Sequence, residues 1–218
     1  MNKAQILKNT KTYVIEKMSG EGTGHDWFHV ERVFKMAEHI AREESDANLF
    51  VVQMAALLHD IEDWKFNEDD TSEGTKIARD WMEHQTVDRD LIDHICESIK
   101  AVSYKGGANQ NKPKTLEAKI VQDADRLDAL GAIGIGRAFA YGGFKGREMY
   151  NPKIKPKKFT TLAAYKNNKG TTINHFYEKL FLVKDLMHTK TAVKIATKRE
   201  KFMKEYLNMF YNEWEGKL

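Results

Sequence analysis

The chain has 218 residues, 41% of them hydrophobic and 31% charged, which is ample for a buried core and argues against intrinsic disorder. Its single cysteine, Cys96, excludes an internal disulfide and with it the disulfide-rich secreted class. A net charge of +3 gives no overall pull toward nucleic acid or a membrane, so neither is an expected partner.

No apolar run approaches the ~20 residues that a bilayer span needs. The first residues also lack the apolar stretch of a signal peptide, so the expected location is the cytoplasm. Few prolines and glycines favour long helices, and apolar spacing is helical almost throughout. Ile6, Leu7, Tyr13, Val14 and Met18 predict a first helix, broken by Gly20 to Gly24. Val30, Val33, Phe34, Ala37, Ile40 and Ala41 recur at three and four, predicting an amphipathic helix over 27–44. The segment 49–58 is nearly all apolar, and its alanines and methionine favour a helix buried on most faces. Ser72 is a suitable start for a helix running to about Glu83, and Leu91, Ile92, Ile95, Ile99 and Val102 mark another. A loop over 104–114 precedes a long helix from Leu116 to about Tyr141. Glycines and prolines make 142–165 irregular, and helices follow over 173–183 and 195–214. The stripe Phe202, Met203, Tyr206, Leu207, Phe210 and Trp214 reads as core packing. The expected fold is an all-α helical bundle.

Charge is unevenly spread. Ten acids face four bases over 62–90, and eight bases face one acid over 145–170. The first region suits cations and the second anions, although solvated surface explains either.

Three anomalies carry chemistry. His59-Asp60 directly follows the apolar run, where polar groups must be paired, hydrated or metal-bound unless the helix surfaces there. His29 sits at the start of the amphipathic helix. Asp123, Asp125 and Asp128 interrupt one helix, although aspartate is a mediocre helix former. Val121, Asp125, Asp128 and Ala132 share a face by spacing, which leaves the choice between Asp125 and Asp128 open. Two imidazoles and two carboxylates suit a divalent metal of intermediate hardness, such as Mn²⁺, Fe²⁺, Co²⁺ or Zn²⁺. Such an ion can activate water as a nucleophile.

The ordered residues His29, His59-Asp60 and Asp125 resemble the H…HD…D signature of HD-domain metal-dependent phosphohydrolases. The surrounding runs His-Val-Glu-Arg-Val, Ala-Ala-Leu-Leu-His-Asp-Ile-Glu-Asp-Trp-Lys and Asp-Ala-Asp-Arg-Leu-Asp-Ala-Leu-Gly-Ala-Ile-Gly strengthen the likeness. It is to a bacterial subfamily of small HD proteins that includes nucleoside-triphosphate pyrophosphohydrolases, over about residues 20–210. The resemblance implies one HD-type domain over 1–218, with a core of about 20–141 and a C-terminal helical part of about 160–215 packed on one side. It makes His29, His59, Asp60 and Asp125 the metal ligands and leaves Asp128 to support those ligands or to pack. It implies one divalent ion, Mn²⁺ before Mg²⁺, Fe²⁺, Co²⁺, Ni²⁺ or Zn²⁺. Glu62 or Asp63 would move a proton, while Lys105 and Arg126 would meet phosphate. His94 is read as a partly buried structural histidine rather than a further ligand.

The implied activity cuts a nucleoside or deoxynucleoside triphosphate to monophosphate and pyrophosphate. The alternatives are a 5′-nucleotidase acting on monophosphates, a non-catalytic metal-bound sensor or binding module, and nucleic-acid binding through the lysine-rich loop over 145–170. The partner is a nucleotide, and a homo-oligomer is compatible with the chain. Gly131, Gly134 and Gly136 follow a helix rather than a strand, so they serve close packing and not dinucleotide binding.

Overall fold

The computed structural model describes residues 2–18, 26–61, 75–102, 112–159, 168 and 170–217. Every regular element among them is helical, in agreement with the all-α expectation. The chain divides into two compact units, one of residues 1–105 and 109–125, the other of 106–108 and 126–218.

In the first unit, α1 (Lys3–Met18), α2 (Trp27–Glu43), α3 (Leu49–Leu58), α4 (Lys76–His84) and α5 (Arg89–Val102) are followed by α6 (Leu116–Asp128), whose last residues belong to the second unit. Asp26 caps α2 by accepting from the His29 backbone N–H, and Asn48 caps α3 by accepting from that of Val51. These caps set the phase of the two helices that carry the histidines. The apolar run folds as expected: α3 packs against α1, α2 and α5, and Val51, Val52, Met54, Leu57 and Leu58 are fully buried. Each such side chain contributes about 1.5–3 kcal/mol by leaving water. Trp81 of α4 stacks on Tyr13 of α1 with centroids 3.9 Å apart, and its indole N–H donates to the Thr10 hydroxyl at 2.9 Å. The predicted helix start at Ser72 lies outside the described residues.

The second unit holds α7 (Gly131–Phe144), α8 (Thr172–His175), α9 (Phe181–Val183) and α10 (Lys190–Trp214). A π-helical turn, Phe176–Leu180, joins α8 to α9. The long helix predicted over 116–141 is in fact two. Leu130 is extended and Gly131 has φ +73°, so α6 ends at Asp128 and α7 begins afresh. A glycine of positive φ just past a helix end is a common stop, and periodicity alone does not see it. The expected break at Gly142 does not occur, since α7 runs to Phe144 and the missing side chain instead admits Thr172. Gly134 likewise lets the Ala129 carbonyl approach, as expected for close packing, whereas Gly136 meets nothing within 4 Å.

The aromatic stripe of α10 is only partly core. Met203 and Leu207 are buried together with Ala192 and Ala196, but Phe202 and Trp214 are exposed. The small alanines place the buried seam one step around the helix from the aromatic one.

His175 gives the second unit an acid-sensitive group. Burial, aided by the positive charges of Lys179 and Arg147, pulls its imidazole from 6.5 down to about 3. The unfolded chain therefore binds the extra proton between those values, so this contribution is complete above pH 6.5 and is lost as pH falls toward 3. The loss should be on the order of 2–4 kcal/mol, discounted for residual solvent contact. His175→Gln should flatten this part of a plot of melting temperature against pH, and an unchanged slope would show that His175 contributes nothing to it.

Candidate metal centre

His29 is the third residue of α2, in its first turn after the Asp26 cap, and is buried. His59 is the C-terminal cap residue of α3, and Asp60 follows in the turn. Asp125 lies on α6. Three helices from distant parts of the sequence therefore bring these side chains together within the first unit. His29 Nε2 stands 3.3 Å from Asp60 Oδ2 and 3.3 Å from Asp125 Oδ1. His59 Nε2 stands 3.6 Å from Asp60 Oδ2 and 3.9 Å from Asp125 Oδ1. The two imidazoles meet edge to face, with centroids 5.4 Å apart.

The donor set fits a metal ion. His59 Nδ1 lies 2.9 Å from the Ala56 carbonyl, an acceptor only, so Nδ1 carries the proton and Nε2 turns its lone pair toward the carboxylates. That Nε2 is buried and has no hydrogen-bond partner among the described residues. Ligand atoms of His29, His59 and Asp125 all lie within 4.8 Å of one another, a spacing that one ion can bridge. Burial alone would raise the Asp125 carboxyl, but the neighbouring His29 and His59 imidazoles outweigh it and hold it below its ordinary value. The carboxylate is thus kept in its ligating form. The histidine side chains are 1% exposed, while those of Asp60 and Asp125 are 18% and 30% exposed, so the carboxylates mark the more open side.

Of the remaining predicted residues, Glu62, Asp63 and Lys105 lie outside the described residues. Arg126 follows Asp125 on α6. Its guanidinium donates to the Leu186 carbonyl and lies 3.1 Å from His188 Nε2, a contact that nothing in the sequence signalled. Asp128, left open by spacing, pairs with Arg137 of α7 and is buried. His94 lies 3.2 Å from Glu117, whose other oxygen accepts from the Asn48 backbone N–H at 2.8 Å. This clasp supports the start of α3, in keeping with a structural histidine.

Comparison with known proteins agrees with this geometry. Residues 27–130 match the HD domain family. YpgQ of Bacillus subtilis is 34% identical over 217 residues, covering 99% of this chain and 97% of that one. An HD-superfamily hydrolase from Bacillus thuringiensis superposes with a TM-score of 0.78 at 40% identity, covering 98% of this chain and 99% of its own. The structure of B. subtilis YpgQ in complex with ADP superposes with a TM-score of 0.76, at 29% identity in the structural alignment and 98% and 97% coverage. With its ordered histidines and aspartates converging on one centre, the chain belongs to the HD-domain superfamily of metal-dependent phosphohydrolases.

Proposed function

We propose that this enzyme hydrolyses nucleoside or deoxynucleoside triphosphates to the monophosphate and pyrophosphate. The observation that carries the reading is the cluster of buried His29 and His59 with half-buried Asp125, and Asp60 beside it, in a chain similar over its whole length to a protein solved with ADP. An HD centre of this kind takes a divalent ion, and we assign His29, His59, Asp60 and Asp125 as its ligands and Mn²⁺ as the preferred metal. When bound, that ion polarises a phosphoryl oxygen and makes water a better nucleophile near neutral pH.

The chain's own residues do the rest. The carbonyl of Ala56 holds the His59 ring in one tautomer, and the Asp26 cap holds the start of α2 beneath His29. Water adds to the α-phosphorus, the bond to the bridging oxygen breaks, and pyrophosphate leaves. Glu62 or Asp63, just beyond the ligand pair, takes the proton from the attacking water. Lys105 and Arg126 balance the negative charge that builds on the phosphates.

Products decide the matter. Incubation with a panel of nucleotides and Mn²⁺, read by chromatography, should give monophosphate and pyrophosphate from triphosphates. Release of inorganic phosphate from monophosphates alone would make the enzyme a nucleotidase. No turnover with any divalent ion would favour a metal-bound sensor.

A further inference from the structure

We infer that the segment 141–158 is a binding surface for single-stranded nucleic acid. It carries six cations, Lys145, Arg147, Lys153, Lys155, Lys157 and Lys158, against the one acid Glu148. That is a local charge of +5 in a chain whose total is +3, so the rest of the molecule is net negative. The modest total, which argued against nucleic acid, hides a polarised distribution.

The charges are displayed and not consumed. None of the six side-chain charges has a carboxylate within 4.0 Å among the described residues. Glu148 instead accepts from the Asn151 side-chain amide at 2.9 Å. All five lysines are exposed. The segment beyond α7 is irregular but anchored: the backbone N–H groups of Thr172 and Ile173 donate to the Glu148 and Met149 carbonyls at 3.0 and 3.1 Å. Asn174 Nδ2 donates to the Ile154 carbonyl, and the Lys157 backbone N–H to Glu178, both at 3.0 Å. A cationic array on a tethered backbone has little ordering entropy left to lose when a polyanion binds.

Aromatic rings set the choice of polyanion. Phe144 is 64% exposed and Tyr141 44% exposed. Lys145 Nζ stands 5.2 Å from the Phe144 centroid and 5.7 Å from that of Tyr141, where Arg147 also lies at 5.7 Å. Exposed rings flanked by cations offer unpaired bases a stacking face beside a phosphate contact. A duplex hides its base faces, and an anionic bilayer offers the lysines charge but gives the rings no base to stack on.

The test is fluorescence anisotropy with a labelled oligo(dT) and oligo(U) of about 20 nucleotides, beside a duplex of equal length and phosphatidylserine vesicles. Binding of the single strands should weaken with salt from about 50 to 200 mM, with a log–log slope approaching −4 when all six cations meet phosphate. Replacing Lys153, Lys155, Lys157 and Lys158 by alanine should weaken it more than about tenfold and flatten the slope. The double variant Tyr141→Ala/Phe144→Ala should weaken the single strand about five- to a hundredfold and leave the duplex unchanged. Melting curves confirm that each variant is folded, and the two variants report independently. No affinity at low salt, binding that neither variant weakens, equal affinity for the duplex, or capture of vesicles in place of oligonucleotide would overturn the assignment.

Discussion

Asp125→Ala should lower phosphohydrolase turnover by about 10³-fold, the several kcal/mol that a bound metal supplies to a phosphoryl transition state converted at ~1.4 kcal/mol per tenfold. Asp125 Oδ1 is 3.3 Å from His29 Nε2 and 3.9 Å from His59 Nε2, so its removal deletes one wall of the centre. Mn²⁺ affinity, measured by calorimetry, should fall together with activity. Circular dichroism should change little, because the side chain is 30% exposed at the edge of the cluster and supports no helix cap. Turnover that survives after metal binding is lost would remove Asp125 from the chemistry.

Asp128→Ala should do the opposite, destabilising the fold while leaving the centre loaded. Asp128 is buried against Arg137. Burial also depresses the Arg199 guanidinium, and the Asp128 charge opposes that shift. Arg199 in turn donates to the Leu127 carbonyl at 2.5 Å, close to the end of α6. Removing the carboxylate takes a buried counter-charge away from Arg137 and Arg199, at a cost of about 3 kcal/mol. A thermal midpoint lower by roughly 6–12 °C follows for a chain of this size. Changing Asp128 and Arg137 together to apolar residues of similar volume should recover much of the loss, since a stranded charge costs more than a missing pair. An Asp128→Ala protein that keeps its melting temperature but loses Mn²⁺ would invert the roles of the two aspartates.

These two outcomes separate residues that look alike in the sequence. Asp125 and Asp128 lie three apart on one helix, and periodicity assigns both to the same face. The resemblance chose Asp125, and the two aspartates differ in their surroundings. Asp125 points to two imidazoles of the first unit, whereas Asp128 belongs to the second unit and meets Arg137 on α7.

By itself the sequence determined the helical class, the buried run of α3 and the types of side chain gathered at its end. Those properties follow from local spacing and from the cost of burying polar groups. The division of 116–141 into two helices, the display of Phe202 and Trp214, and the engagement of Arg126 with the Leu186 carbonyl were decided only in three dimensions. Each depends on a partner far along the chain or on the φ of one residue, Gly131, and a hydrophobic repeat encodes neither.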